Sequence, residues 1–186
     1  MRLASILSRS EFPAPELRAL VLDGEAFRID DCVAPVDEIP GPALRAAALA
    51  AELPPRLIAE QHTAAWIWGA QLNPPGRHEV CADITARTRP AVGTLLAVRE
   101  VVLLHEDTVS LAGLLVTTPM RTAIDLARFV PDWNSTEVDI VRALLRLGQT
   151  TILDCARVMN RRRNLPGKKI ALERLGGCAE PLSSPS

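Results

Sequence analysis

The stretch TTPMRTAIDLAR, residues 117–128, constrains the fold more tightly than any other part of this chain. Thr118 precedes a proline, which disfavours the α region for it, and its hydroxyl can accept from the next amides. Pro119 falls at the first helical position, where a missing N–H costs nothing. At about 100° per residue, Met120, Ala123, Ile124, Ala127 and Val130 share one face of the helix. Arg121, Asp125 and Arg128 share another. The preceding LAGLLVTT, residues 111–118, reads as a short apolar strand, and Pro131 closes the helix. A strand must therefore turn into a capped, amphipathic helix here.

The rest of the chain can be arranged around that step. Residues 13–24 read as a helix that begins at Pro13 or Pro15 and stops at Gly24. EAFRIDDCVAPV comes next with partial alternation, consistent with a strand or a small hairpin. Ala-rich residues 43–53 favour a helix that Pro54-Pro55 ends. A second helix is expected over residues 56–70, with Ile58, Ala65, Trp66, Ile67 and Trp68 in the core. Residues 79–88 and 95–104 read as strands, and HEDTV as a turn. Residues 136–148 and 150–163 read as a helical pair, and KKIALERL as a last short helix. The class is α+β: a small winged-helix-like unit over 1–42, a mixed core over 43–175, and a disordered tail over 176–186.

No apolar run approaches the roughly 20 residues that a bilayer requires. The start, MRLASILSRSEF, has no apolar core of a signal peptide, so a cytoplasmic protein is expected. Cys32, Cys81, Cys155 and Cys178 stand far apart, without the close pairs of a zinc site, and read as small buried hydrophobes. No metal and no cofactor is expected. The chain has no phosphate-cradling GxxxxGK[ST] or GxGxxG, no HExxH and no GxSxG. His62, His78 and His105 stand alone in sequence, and His62 on an apolar helix reads as a structural histidine. The residues supply no catalytic set, so the chain reads as a non-enzyme.

Charge is distributed unevenly although the net value is only −1. Residues 1–53 hold five arginines against nine acids, and residues 134–186 hold nine basic residues against five acids. An anionic partner should therefore meet the C-terminal third. RRRNLPGKK, with Arg161, Arg162, Arg163, Lys168 and Lys169, reads either as a solvated surface or as a phosphate contact at a helix start. Arg121, Asp125 and Arg128 read either as an ion pair tying a helix to a neighbouring strand or as a site for a phosphate or a partner's carboxylate. The first fifty residues have the order of a winged-helix fragment, with a recognition helix over 13–23 and a hairpin wing carrying Arg28. There Glu16, Asp23, Glu25, Asp30 and Asp31 oppose DNA, leaving Arg9, Arg18 and Arg28 as the useful charges.

HTAAWIWGA, a strand ending in VREVVLL, and GLLVTTPMRTAIDLAR together resemble the core of AbiEi-type antitoxins of type IV toxin–antitoxin systems, notably their actinobacterial relatives. ELRALVLDGEAFRIDDCVAP resembles the winged helix that precedes that core. The resemblance covers about residues 10–175. Its most specific part is the box carrying Thr117, Thr118, Pro119, Arg121, Thr122, Asp125, Leu126 and Arg128, which reads as structural. It implies a DNA-binding antitoxin that represses its own promoter and counters a separately encoded nucleotidyltransferase toxin without a stable complex. Asp30-Asp31-Cys32 stands where relatives tend to carry Arg and Gly, and Ala34 where they tend to carry Tyr. The repair-endonuclease-like extension of some relatives is not seen, so no nuclease activity is expected. The rival reading is a protein-interaction module that has lost specific DNA binding and meets its partner through the C-terminal helices.

Overall fold

The computed structural model describes residues 5–83, 96–162 and 164–179. Among these, helices and strands mix as an α+β fold with two sheets. Helix α1 (Ala14–Leu22) starts on Pro13 and Pro15 and leads into the hairpin β1 (Ala26–Ile29) and β2 (Cys32–Pro35). The hairpin closes over Asp30 and Asp31, pairing Ile29 with Cys32, and Asp30 takes a positive φ of 55°. Leu7 adds a bridge to Val33, with N–H to carbonyl distances of 2.8 and 3.0 Å. Leu7, Leu17, Ala26 and Val33 form a small apolar cluster under α1. The other face of the hairpin, Ile29, Cys32 and Ala34, belongs to a larger core with Leu44, Leu49 and Trp66. The N-terminal hairpin and the chain beyond it thus share one packed body.

Helix α2 (Pro42–Glu52) ends before Pro54, as its sequence requires. The expected helix over 56–70 is instead a two-residue strand, β3 (Ile58–Ala59), followed by α3 (Gln61–Trp68). The strand is short, but it sits at the centre of the second sheet. That sheet runs in the order β5-β4-β3-β7-β6, with β4 (His78–Asp83), β5 (Leu96–Val101), β6 (Thr108–Leu111) and β7 (Leu114–Thr117). Backbone groups of Ile58 and Ala59 are taken on both sides, by β4 and β7, and this non-local pairing outweighs the local helical pattern. The segment 105–118 differs similarly. His105–Asp107 is a single 3-10 turn, and β6 and β7 form a hairpin rather than one strand. Ala112 and Gly113 both have positive φ, at 46° and 86°, as a type I′ turn demands. Of the strand expected over 79–88, residues 84–88 lie outside the described residues.

Two strand-to-helix steps lie side by side, because β3 and β7 are parallel and each runs into a helix. The second is α4 (Pro119–Phe129), and the Thr118 hydroxyl caps it by accepting from the Arg121 amide at 3.3 Å. Its apolar face packs against α5 (Ser135–Leu147), α6 (Ile152–Arg161) and α7 (Lys168–Gly177), where Ala123, Ile124 and Ala127 meet Val141, Leu144, Met159 and Leu175. Gly167 is needed where the chain enters α7: its φ is +72°, and a Cβ there would lie 3.1 Å from the Arg128 carbonyl oxygen. The helix continues past residue 175, and Cys178 is buried, so the packed chain extends to that point; residues 180–186 lie outside the described residues.

Candidate functional site

The three arginines of the N-terminal unit come together in space. Arg9 follows the Leu7 bridge, Arg18 stands on α1, and Arg28 stands on β1; all three are exposed and line one groove of about 310 Å³. Leu17, Val21 and Val33 give the same groove an apolar floor. The acids that oppose DNA in the sequence are partly engaged. Asp31 lies 3.9 Å from Arg9, with both side chains more than half exposed. Asp30 is instead half-buried, and His78 Nε2 donates to its Oδ2 at 2.8 Å. The hairpin tip is therefore tied down rather than free.

The Arg121, Asp125, Arg128 stripe is the centre of a buried charge network. Asp125 is wholly buried and accepts from Arg121 Nε at 2.8 Å, Arg128 Nη1 at 2.8 Å and Arg99 Nη2 at 3.3 Å. Arg99 also holds Glu60 through two bonds, at 2.5 and 2.6 Å. Arg121 reaches Asp107 with Nη1 at 2.6 Å, and Asp107 takes Arg162 Nη2 on both oxygens at 2.8 Å. Three carboxylates thus meet four guanidiniums, drawn from the β3–α3 junction, β5, the 3-10 turn, α4 and the end of α6. Arg99 and Arg128 also lie over the ring of Phe129, at 4.1 and 4.3 Å from its centre. Thr117, Thr122 and Leu126 complete the box as packing residues. The Thr122 hydroxyl bonds the Thr118 carbonyl at 2.9 Å, and Leu126 is wholly buried.

The basic segment 161–169 divides. Arg161, Lys168 and Lys169 face outward or are half-buried, whereas Arg162, its side chain 23% exposed, donates to Asp107. Arg163 lies outside the described residues. Sequence reading missed Glu60, Arg99 and Asp107 as partners of the box, because they lie 14 to 55 residues from the charged groups they bind. The one local trace is Asp107 itself, whose carboxylate accepts from the Leu104 amide and closes the turn.

His62 is a third ionisable focus. Its Nδ1 lies 2.9 Å from Glu79 and its Nε2 lies 3.2 Å from Glu137. These two hydrogen bonds, that to Glu137 first, push its pKa up to about 9 against the opposing effect of burial. All four cysteines are buried and unpaired, and burial raises each thiol, to about 12 for Cys32 and Cys155. None is a ready nucleophile. Among the described residues, no cluster of three or more His, Cys, Asp and Glu could hold a metal ion, and no helix is long and apolar enough to cross a membrane.

Comparison with known proteins agrees with the box. No curated protein matches the chain. A solved structure, the RV2827C protein from Mycobacterium tuberculosis, aligns with a TM-score of 0.48 at 15% identity, over 94% of this chain and 71% of that one. The sequence profile of the AbiEi antitoxin C-terminal domain matches residues 57–166, from the strand β3 through the box to the turn before α7. The chain belongs to the AbiEi antitoxin C-terminal domain family.

Proposed function

We propose that the protein is the antitoxin and transcriptional regulator of a type IV toxin–antitoxin system. It binds its own promoter DNA and counters a nucleotidyltransferase toxin without forming a stable complex with it, and it is not itself an enzyme. The observation that carries the DNA-binding part is the convergence of Arg9, Arg18 and Arg28 on one groove beside an AbiEi domain. Phosphate contacts by arginine supply much of the affinity for DNA and are weakened by salt. Arg161, Lys168 and Lys169 supply further charge in the basic C-terminal part.

A second reading rests on the tied hairpin tip. With Asp30 held on His78, the hairpin is less free to enter a groove of DNA, which suits a module that binds a partner protein. Leu147, Leu153 and Ile170, exposed on or beside the C-terminal helices, would then meet that partner. Fluorescence anisotropy on the DNA upstream of the reading frame, against a scrambled duplex and across a salt series, separates the two. The antitoxin reading expects selective binding that falls steeply with salt, and about a tenfold or greater loss with Arg18→Ala. Equal and weak binding of both duplexes at low salt would refute it in favour of the interaction module.

A further inference from the structure

The buried network has an open side. Arg99, Arg121, Arg128 and Arg162 all line one groove of about 650 Å³ between β5, the end of α4 and the turn before α7. The three carboxylates they share lie on the inner side, and their oxygens are already heavily bonded. The guanidiniums are not. To partners among the described residues, Arg121 and Arg128 each bond through Nε and Nη1, Arg99 through Nε and Nη2, and Arg162 through Nη2. Among the described residues, the buried side-chain nitrogens and oxygens with no partner are Gln71 Oε1 and Thr150 Oγ1. The unspent guanidinium nitrogens therefore reach accessible surface, and this groove is the surface all four share.

We propose that this groove binds the terminal phosphate of a small, nucleotide-sized phosphorylated ligand. Four arginines and one exposed carboxylate, Glu100, line the groove. The three network carboxylates, which with Glu100 balance the arginines in number, are bonded behind them. Guanidinium edges therefore outnumber acids on the groove side, in surroundings where Arg121 and Arg128 are only 7% and 6% exposed. Charge is screened little there, and planar guanidinium forks match phosphate oxygens. The volume falls within the roughly 300–1,000 Å³ of small-ligand sites. A terminal phosphate, free on three sides, can descend onto two nearly buried guanidiniums. The diester of a duplex, held between sugars on a broad convex surface, cannot. This site is separate from the N-terminal groove and does not depend on promoter binding.

The test is isothermal titration of the full chain with inorganic pyrophosphate at fixed ionic strength, with sulfate as the control anion. Saturable one-site binding is expected, tighter for pyrophosphate than for sulfate. Arg162→Ala and Arg99→Gln should each weaken it by about tenfold or more, Arg162→Lys by less, and Arg18→Ala in the N-terminal groove not at all. Urea midpoints and circular dichroism establish that each variant is folded. Four results would overturn the proposal: no saturable binding, equal affinity for sulfate, unchanged affinity in both groove variants that fold, or displacement of pyrophosphate by a DNA duplex. The last would assign the groove to backbone phosphates instead.

Discussion

Asp125 shows how one buried side chain can organise a network of charges. Its carboxylate is sealed from water, and its charge is tolerable only because three arginines donate to it. Removing it takes the carboxylate from Arg128 and one of two carboxylates from Arg121, both nearly buried. Asp125→Ala should therefore destabilise the protein by about 3–5 kcal/mol, far more than the ~1 kcal/mol of an exposed pair. Urea unfolding of the variant measures this directly. A loss below about 1 kcal/mol would mean that the network is effectively solvated. Thr118 works more locally, since its hydroxyl meets one orphan amide at the start of α4.

At the scale of elements, His62 joins three of them. It stands near the start of α3, and its two ring nitrogens reach Glu79 on β4 and Glu137 on α5. Its pKa is raised to about 9 in the folded chain against 6.5 for the free side chain. The folded state therefore holds the proton more tightly, and the stabilisation is complete below about pH 6.5 and is lost as pH rises through about 9. The stability difference between the wild type and His62→Gln should be largest near pH 6, up to roughly 3 kcal/mol, and should shrink steadily towards pH 9.5. Denaturant midpoints across that range are the measurement, and a difference independent of pH would show that His62 is not charged in this pocket.

For the whole molecule, the question is whether residues 1–42 stand apart. Ile29, Cys32 and Ala34 of the hairpin share a core with Leu44, Leu49 and Trp66, and the Cys32 thiol donates to the Ala48 carbonyl at 3.5 Å. His78 holds the hairpin tip from β4. Removing the unit would uncover apolar surface of α2 and α3, at about 25 cal/mol per Å². A chain beginning at residue 43 should unfold at clearly lower urea than the full chain, and the full chain should unfold in one transition by calorimetry. Matching midpoints would show that the unit is an independent appendage.

Much of this protein was legible in its residues where the determining forces are local. Pro119 after Thr118, and the apolar spacing from Met120 to Val130, place α4 and its cap, because capping and helical periodicity act within a few residues. The hairpin of residues 26–35, the α+β class and the AbiEi kinship rest on the same short-range patterns. The ion pairs of Arg121 and Arg128 with Asp125 were visible too, because residues three or four apart on a helix are neighbours. What pairing across the chain decides was not. Ile58 and Ala59 became the central strand only because β4 and β7 flank them, and the 111–118 run became half a hairpin only by folding back on Thr108–Leu111. Glu60, Arg99, Asp107 and Arg162 joined the box from distant positions, turning a stripe of three charges into a buried network of seven. Arg9, Arg18 and Arg28 were brought to one groove by the same kind of closure. Local chemistry sets the elements whose signals are capping and periodicity, such as α4, whereas β3 forms only by pairing across the chain. Which charged groups face one another depends on how those elements pack, and no stretch of a few residues encodes that.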